Sequence, residues 1–474
     1  MTEERTRFSR RQTLILGSLL ATTIMFTIDI TIVTVALPEI GDALDGATIG
    51  SLQWVIIGYT VTFGSLLLIC GSLSDALGVR RMFLAGTVGF AVFSLACGLA
   101  PTMLWLNVAR ALQGVAAAVM FAVIMPLLAR TFDESVRARA IGYWSGVVGV
   151  SGVLAPAVGG LLVDAAGWRW MFLINLPVAV IAVALIWFTV DDDGGSRPFS
   201  FGSFDVLGAV LLAGALTAVN LGVVWAQSDG WLAGSTLGGL GVFIVLIAVF
   251  AAWESRASNP LVDLRLPTNR VFGGVSALAL LNRVATVGAA VYLVILLQDG
   301  YGYSAAATGL LLLPLGLATM VASIWAGRAQ DRLAASTILA IGFGGLVVGS
   351  ALLSWQVGAQ HAPAVLIPAM IVWGAANGLA NAPIMAVTTA SVPIERVGMA
   401  TGLVNSFFPI GAGLGTAVLG SVFAGGVGDG SRASMAGATS TVYAVVCGLM
   451  VVAVAVALTL SPRVRRPARA GVRA

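Results

Sequence analysis

Long apolar stretches alternate with short polar segments along the whole chain. Fourteen of these stretches are long enough for an α-helix to cross a bilayer, which takes about 20 mostly apolar residues. The pattern therefore predicts an all-α integral membrane protein with fourteen transmembrane helices. The predicted spans are 13–37, 49–71, 82–100, 103–128, 140–163, 170–190, 205–226, 236–253, 271–297, 305–326, 336–357, 363–388, 398–424 and 440–460.

The arginines lie almost entirely in every second polar segment. With the N-terminus placed in the cytoplasm, 21 of the 25 arginines fall in cytoplasmic segments, two in outer segments and two within spans. Cytoplasmic segments of membrane proteins carry the excess of basic residues. We therefore expect a multi-pass protein of the inner (plasma) membrane with both termini in the cytoplasm.

The composition excludes several classes of protein. Hydrophobic residues make up 58% of the 474 positions and charged residues only 10%, against about 25% charged residues in ordinary soluble domains. A soluble enzyme could not bury that much apolar surface. The basic residues are all arginine and scatter over short loops, so no nucleic-acid partner is expected. The three cysteines and the single histidine lack metal-ligand spacing, and we expect no metal site and no cofactor.

Two longer polar segments divide the predicted helices into groups of six, two and six. We predict an N-terminal six-helix bundle over 1–190, two additional transmembrane helices with flanking linkers over 191–270, and a C-terminal six-helix bundle with an arginine-rich tail over 271–474. Similar loops that place an aspartate four residues after a glycine, at Asp75 and Asp331, follow the second helix of each bundle. Such parallel repeats predict two pseudo-symmetric halves around a central cavity.

Three charged residues fall well inside predicted spans, away from the span ends, where charge is costly and usually functional. Asp29 in helix 1 and Arg110 in helix 4 both lie roughly 10–12 Å below the outer surface, since a helix rises 1.5 Å per residue. An ion pair between them is therefore geometrically allowed. We expect Asp29, the only acid deep inside a span, to carry protons in partnership with Arg110. A static structural pair is the alternative.

The third charge, Arg283, lies near the middle of helix 9. Its counter-ion is either Asp29 or an anionic group of a substrate, and packing against backbone carbonyls is the alternative. Helix 12 carries a tryptophan and two asparagines along one face, a pattern typical of a pocket wall or of hydrogen bonds between helices. The predicted substrate cavity comprises Arg283, Asn282, Trp373, Asn377, Asn381, Gln53, Tyr59 and Gln113.

Five motifs occur in register with this 6+2+6 plan. They are Asp29-x-Thr31 with Ala36-Leu37-Pro38 in helix 1, Gly71-x-Leu73-x-Asp75-x-x-Gly78-x-Arg80-Arg81 after helix 2, Arg110-x-x-Gln113-Gly114 in helix 4, the small residues Gly149, Gly152, Pro156, Gly159 and Gly160 of helix 5, and Trp168-Arg169-Trp170-x-Phe172-x-x-Asn175-x-Pro177 at the start of helix 6. On these residues the chain resembles the fourteen-helix drug:proton antiporters of the major facilitator superfamily.

The resemblance implies roles for these motifs. The loop after helix 2 would latch a cytoplasmic gate through Gly71, Asp75, Gly78, Arg80 and Arg81. The helix 4 motif would take part in proton coupling, and the glycine-rich motif of helix 5 would mark an exporter rather than a symporter. The cavity helices of the family map to helices 1, 4, 9 and 12, which offer one acid and two arginines here. This favours neutral, zwitterionic or anionic substrates over simple cations.

Together these features predict a proton-coupled antiporter that exports amphipathic small molecules, such as drugs, antibiotics or toxic metabolites, by alternating access. A proton-coupled symporter that takes up a small organic solute is the alternative. A membrane enzyme is not expected, because the segments between helices are too short to form a further domain. The expected partners are a small-molecule substrate, protons and, through the arginine-rich tail, membrane lipid. A stop-transfer anchor is the alternative role of this tail. We expect a monomer.

Overall fold

The computed structural model describes residues 8–45, 47–191, 205–257, 260–262, 264, 266, 268–428 and 430–460. Within these ranges the chain consists of helices and short turns, with no β-strand. The predicted all-α fold class is therefore confirmed.

The described chain forms fourteen long helices, the predicted number. Thirteen of them are long and apolar enough to cross a membrane by length and composition, and the glycine-rich fifth helix of 33 residues is the remaining one. The helices are α1 Arg10–Ala43, α2 Ile49–Leu77, α3 Val79–Gly98, α4 Met103–Ala122 with Ile124–Thr131, α5 Glu134–Ala166, α6 Trp170–Leu173 with Asn175–Thr189, α7 Val206–Ser228, α8 Gly234–Glu254, α9 Arg270–Ile295, α10 Ala305–Ala329, α11 Ala335–Gly358, α12 Ile367–Ala390, α13 Val397–Val427 and α14 Arg432–Leu460.

Several helices extend past the apolar stretches that predict them, and polar caps fix where α1 and α2 begin. Helix α1 continues to Ala43, six residues beyond the predicted end at 37. At its start, Ser9 and Gln12 form a capping box. Thr48 and Ser51 do the same for α2. Because these caps satisfy the backbone amides that the start of a helix leaves free, α1 can begin at Arg10, three residues before the predicted start at 13.

The helices pack as two six-helix bundles with a helix pair beside them. Helices α1–α6 form one bundle and α9–α14 the other. The main contacts between the bundles join α2 to α13 and α5 to α10. Helix α7 packs against α2 and α13, while α8 packs on α7. The inserted pair therefore covers the seam between α2 and α13.

Close backbone contacts join the bundles at one end. We call this the termini end, because α1 begins there and α14 ends there. A Cβ atom added to Gly71 of α2 would overlap the carbonyl oxygen of Gly398 in α13. On the other seam, a Cβ atom added to Gly142 of α5 would lie 2.7 Å from the carbonyl oxygen of Ser323 in α10. Glycines thus let the helix backbones touch at both seams.

Polar contacts reinforce this closure. The Asp75 carboxylate accepts hydrogen bonds from the backbone amides of Gly398 at 3.2 Å and Met399 at 3.1 Å. At the second seam, Nε of Arg139 donates to Asp331 at 3.0 Å. The Arg139 and Asp331 side chains remain 19% and 33% exposed, so this ion pair contributes about 1 kcal/mol at most. Closure therefore depends on the glycine contacts and the Asp75 hydrogen bonds more than on this ion pair.

A larger side chain at Gly71 is expected to hold the bundles apart at the termini end. The Gly71→Val side chain needs the space that the Gly398 carbonyl occupies, and overpacking of this kind costs about 1–3 kcal/mol. Cysteines introduced as Arg139→Cys and Asp331→Cys, in a chain without its three native cysteines, report closure of the other seam by disulfide formation. We expect a lower cross-linked fraction in Gly71→Val than in the unsubstituted chain.

The matched control is Gly17→Val in α1, where no heavy atom lies within 4 Å of an added Cβ atom. This variant is expected to cross-link like the unsubstituted chain. Equal cross-linking in Gly71→Val and Gly17→Val would contradict the role of the glycine contact.

Candidate functional site

A cavity of about 920 Å³ lies between the two bundles. It runs from the middle of the molecule to the end opposite the termini, which we call the far end. Gln53 and Trp54 in the first turns of α2 and Ser228 at the end of α7 line it there. Because the bundles touch at the termini end and diverge toward the far end, the cavity is accessible from the far end only in this conformation.

The cavity wall is aromatic, with a few amides and a single charge among its described residues. That charge is Arg283. The amides come from α2, α7, α12 and α13, and the aromatic side chains surround the deeper part. The amide residues are Gln53, Asn220, Asn377, Asn381 and Asn405, and the aromatic ones include Phe26, Phe63, Phe121, Trp144, Trp373 and Phe408.

A network of amides holds Arg283. Its Nη2 donates to Oδ1 of Asn381 at 3.1 Å, and its guanidinium carbon lies 4.9 Å from the centre of the Phe408 ring. Asn377 in turn accepts hydrogen bonds from Asn381 at 2.9 Å and from Asn282 at 3.2 Å. No carboxylate of the described chain lies within 4.0 Å of Arg283. The arginine therefore presents its charge to the cavity, supported by neutral groups.

Asp29 forms a separate, fully buried cluster inside the first bundle. Its Oδ2 accepts a hydrogen bond from Nη1 of Arg110 at 2.7 Å. Its Oδ1 accepts one from Gln113 and one from Asn175, each at 3.1 Å. Asp29 and Arg110 are each 1% exposed. Asp29 is thus the partner of Arg110 and not of Arg283.

Arg110 is held from three further directions. Its Nε donates to the backbone carbonyl of Val55 at 3.1 Å, and its Nη1 also donates to Gln113 at 2.8 Å. The ring of Tyr59 stacks on the guanidinium at 4.2 Å. Tyr59 is completely buried and packs beside Phe63, with ring centres 6.3 Å apart. Because Phe63 lines the cavity, Tyr59 lies between the Asp29 cluster and the cavity wall.

Three residues predicted for the cavity therefore lie elsewhere. Tyr59 and Gln113 belong to the Asp29 cluster, and Asn282 is fully buried behind Asn377. Gln53 and Tyr59 both belong to α2 but lie on different faces of that helix. Gln53 lines the cavity, whereas Tyr59 faces α4. Gln53, Arg283, Trp373, Asn377 and Asn381 do line the cavity.

Sequence reasoning missed several polar residues of both sites. Asn175 contacts Asp29 and also donates to Ser94 at 2.9 Å, although the sequence signals it only as one position of the helix 6 motif. Asn220 and Asn405 line the cavity. Each is an isolated amide in an apolar helix, and that isolation is the only sequence signal that could have identified it.

The residues of the predicted gate lie at the termini end. Gly71 and Asp75 contact α13, as described above. Gly78 joins α2 to α3 with a φ of 94°, a backbone conformation that favours glycine. Arg80 donates to the carbonyl oxygen of Trp187 at 2.8 Å and lies over its ring, while Arg81 occupies the first turn of α3.

The glycines of α5 serve different contacts along the helix. A Cβ atom added to Gly149 would lie 2.5 Å from Thr319 of α10, and one added to Gly159 would overlap Ile32 of α1. Gly149 and Gly152 also line the cavity, and no heavy atom lies within 4 Å of an added Cβ atom at Gly152. The remaining motif residues, Pro156 and Gly160, belong to α5, and only their helical backbone is among the described features.

Comparison with known proteins gives consistent matches over most of the chain. The Major Facilitator Superfamily profile matches residues 19–416 and 275–474. The multidrug resistance protein Stp of Mycobacterium tuberculosis (strain CDC 1551 / Oshkosh) is 33% identical over 406 residues, which cover 84% of this chain and 74% of that protein. The tetracenomycin C resistance and export protein of Streptomyces glaucescens is 35% identical over 409 residues, 85% of this chain and 74% of that protein.

A third relative and a solved structure agree with these matches. The puromycin resistance protein pur8 of Streptomyces alboniger is 34% identical over 415 residues, 86% of this chain and 81% of that protein. The crystal structure of the human organic anion transporter MFSD10 (TETRAN) superimposes with a TM-score of 0.64 over 96% of this chain and 100% of that chain, at 16% identity, and supports the fold alone. The chain therefore belongs to the Major Facilitator Superfamily, among its drug-efflux transporters, and is a multi-pass membrane transporter rather than an enzyme.

Proposed function

We propose that the protein is a proton-coupled antiporter that exports aromatic, amphipathic small molecules from the cytoplasm by alternating access. The observation that carries the proposal is the presence of two separate sites: a buried Asp29–Arg110 ion pair, and a large aromatic cavity whose one described charge is Arg283. The proton gradient across the plasma membrane supplies the energy, and no cofactor is required.

The arginine pattern supports a cytoplasmic termini end. Cytoplasmic segments are expected to hold the basic residues, and the helix ends that flank the arginine-rich segments lie at the termini end. In this orientation the cavity opens outward and the cytoplasmic side is closed. The structure then corresponds to the state that releases substrate outside and receives a proton.

The named relatives support export as the direction of transport. One is named for tetracenomycin C resistance and export, and another for puromycin resistance. Resistance through a secondary transporter requires that the toxic compound move out of the cell. We therefore favour antiport of substrate against protons.

Protonation of Asp29 is the proposed coupling step. A proton added to the carboxylate neutralises it and leaves Arg110 as a buried, unpaired cation, a state that costs about 3–5 kcal/mol when one partner of a buried pair is lost. Movement of Arg110 relieves this cost, and Tyr59 stacks directly on Arg110. Because Tyr59 packs beside Phe63 of the cavity wall, the movement reaches the substrate site.

The cavity wall favours neutral, zwitterionic and anionic aromatic substrates. Aromatic side chains offer large apolar contact area. Arg283 offers the only charge among the described wall residues, supported by Asn381. A simple cation would have to leave water beside Arg283 without a carboxylate to receive it, which is unfavourable.

Asp29→Asn is expected to abolish transport driven by a pH gradient. Asparagine keeps the shape of aspartate but cannot exchange a proton. The test follows quenching of a pH-sensitive dye in proteoliposomes while substrate moves. The signal of Asp29→Asn is expected to fall to the level of protein-free liposomes, while equilibrium substrate binding persists.

Asp42→Asn is the matched control, because Asp42 is an exposed acid on the same helix. This variant is expected to transport like the unsubstituted protein. Full gradient-driven efflux by Asp29→Asn would overturn the proposed proton site. Movement of substrate in the same direction as the protons, in the unsubstituted protein, would indicate a symporter.

Arg283→Gln is expected to remove the preference for anions. Two dyes with the same xanthene skeleton separate charge from shape: fluorescein is an anion and rhodamine 6G a cation. Loss of the guanidinium should raise the Kd of purified protein for fluorescein roughly tenfold, corresponding to about 1.4 kcal/mol, and leave that for rhodamine 6G unchanged. Fluorescence anisotropy measures both.

Arg432→Gln is the control, because Arg432 is exposed at the far end, outside the cavity lining. It is expected to bind both dyes like the unsubstituted protein. Tighter binding of rhodamine 6G than of fluorescein by the unsubstituted protein would contradict the proposed substrate class.

A further inference from the structure

Helix α7 forms a side wall of the central cavity. Six of its residues line the cavity over its last third: Asn220, Leu221, Val223, Val224, Trp225 and Ser228. From the level of Asn220 toward the far end the two bundles diverge, and residues of both α2 and α13 line the cavity. The side chains of α7 therefore close the space between α2 and α13.

Helix α7 is fixed to the first bundle at the deep end of this wall. Oγ1 of Thr217 donates to Oγ of Ser65 in α2 at 3.0 Å. Next to this contact, Asn220 lies beside Gly64 of α2, and a Cβ atom added to that glycine would be 3.4 Å from Nδ2 of Asn220 and 2.6 Å from Pro409 of α13. Asn220 thus occupies the point where the two bundles separate.

The inserted pair is also tied down at both of its ends. At the far end, Nε1 of Trp231, between α7 and α8, donates to Oγ of Ser421 in α13 at 3.2 Å. At the termini end, Oγ of Ser72 in α2 donates to the carbonyl oxygen of Leu261, which follows α8, at 3.2 Å. A wall fixed on both sides can position a ligand without first becoming ordered.

Two polar groups on this wall have no hydrogen-bond partner within the described chain. Nδ2 of Asn220 donates to the carbonyl oxygen of Leu216 at 2.7 Å, while its Oδ1 accepts no hydrogen bond from a described residue. The indole N–H of Trp225 likewise donates to none of the described residues. The wall therefore offers one acceptor and one donor beside a large aromatic face.

We propose that α7 is a substrate-selecting element of the transporter, with Trp225 stacking on an aromatic ring of the substrate and Asn220 accepting a hydrogen bond from its hydroxyl or amide group. The proposal rests on the proposed function only in taking the central cavity as the substrate site. In this role the inserted pair selects planar aromatic compounds that carry hydrogen-bond donors. The two bundles supply the remaining walls and the proton site.

Cysteine protection tests whether substrate reaches α7. Leu221→Cys places a thiol on the proposed wall, and Ala290→Cys places one on the α9 wall of the same cavity. Val242→Cys is the matched control on α8, where Val242 is 51% exposed and does not line the cavity. Leu221 and Val242 lie seven and eight residues from the far ends of their helices. All three variants are made in a chain without its native cysteines.

A membrane-impermeant maleimide is expected to label Leu221→Cys and Ala290→Cys but not Val242→Cys. Fluorescein, added without any pH gradient, is expected to slow labelling at both cavity positions. Protection at Ala290→Cys without protection at Leu221→Cys would overturn the role of α7. Protection at neither position by fluorescein, but at both by rhodamine 6G, would overturn the proposed substrate charge while supporting α7. Protection by neither dye would contradict both proposals.

Trp225→Ala is expected to raise the Kd for fluorescein roughly tenfold, because the stacked ring and its buried area are lost. Trp325→Ala in α10 is the control, since Trp325 is 50% exposed and does not line the cavity. Trp225→Phe separates the two contributions, because it keeps the stacking face and loses only the N–H donor, so it should restore most of the affinity. Unchanged binding in Trp225→Ala would overturn the proposal.

Discussion

The ion pair between Asp29 and Arg110 is the interaction on which the first bundle depends. Neither group has access to water, so each must find its hydrogen bonds inside the bundle. Asp29 obtains them from α4 and α6, and Arg110 from α2 and α4. One pair therefore fixes the mutual positions of four helices. A proton is the one reagent small enough to change the charge of this cluster without entering as a ligand.

Separation of the charged pair from the cavity has a mechanical consequence. Substrate in the cavity cannot touch Asp29, because Tyr59 and Phe63 intervene. The two sites can influence each other only through the helices that they share, and of these α2 also reaches the closed end. It carries Gln53 at the cavity mouth, Tyr59 on Arg110, and Asp75 at the closed end. A displacement of α2 would therefore act on the proton site, the cavity and the closure together.

The sequence predicts well how deep in the membrane a residue lies along its helix, but it predicts poorly which neighbouring helix that residue faces. The rise per residue places Asp29 and Arg110 at one depth, and the structure pairs them. Each residue turns a helix by about 100°, however, so neighbouring positions face different partners. Asn282, next to Arg283, is turned behind the cavity wall, and Tyr59 is turned toward Arg110. Such directions depend on which helices are neighbours, and periodicity alone does not specify that.

The apolar pattern of the sequence does not specify where the inserted pair of helices packs on the two bundles. Helix α7 begins and helix α8 ends at the termini end, so the pair forms a hairpin that can be added without altering either bundle. A hairpin of two apolar helices could equally have rested anywhere on the bundle surface. Its polar positions determine the outcome, because Thr217 and Asn220 are unfavourable toward lipid. Thr217 donates to Ser65 of α2, and Asn220 lies beside Gly64 at the α2–α13 seam. The cavity is therefore asymmetric: side chains of α7 close one seam, whereas Gly149 and Gly152 of α5 line the other.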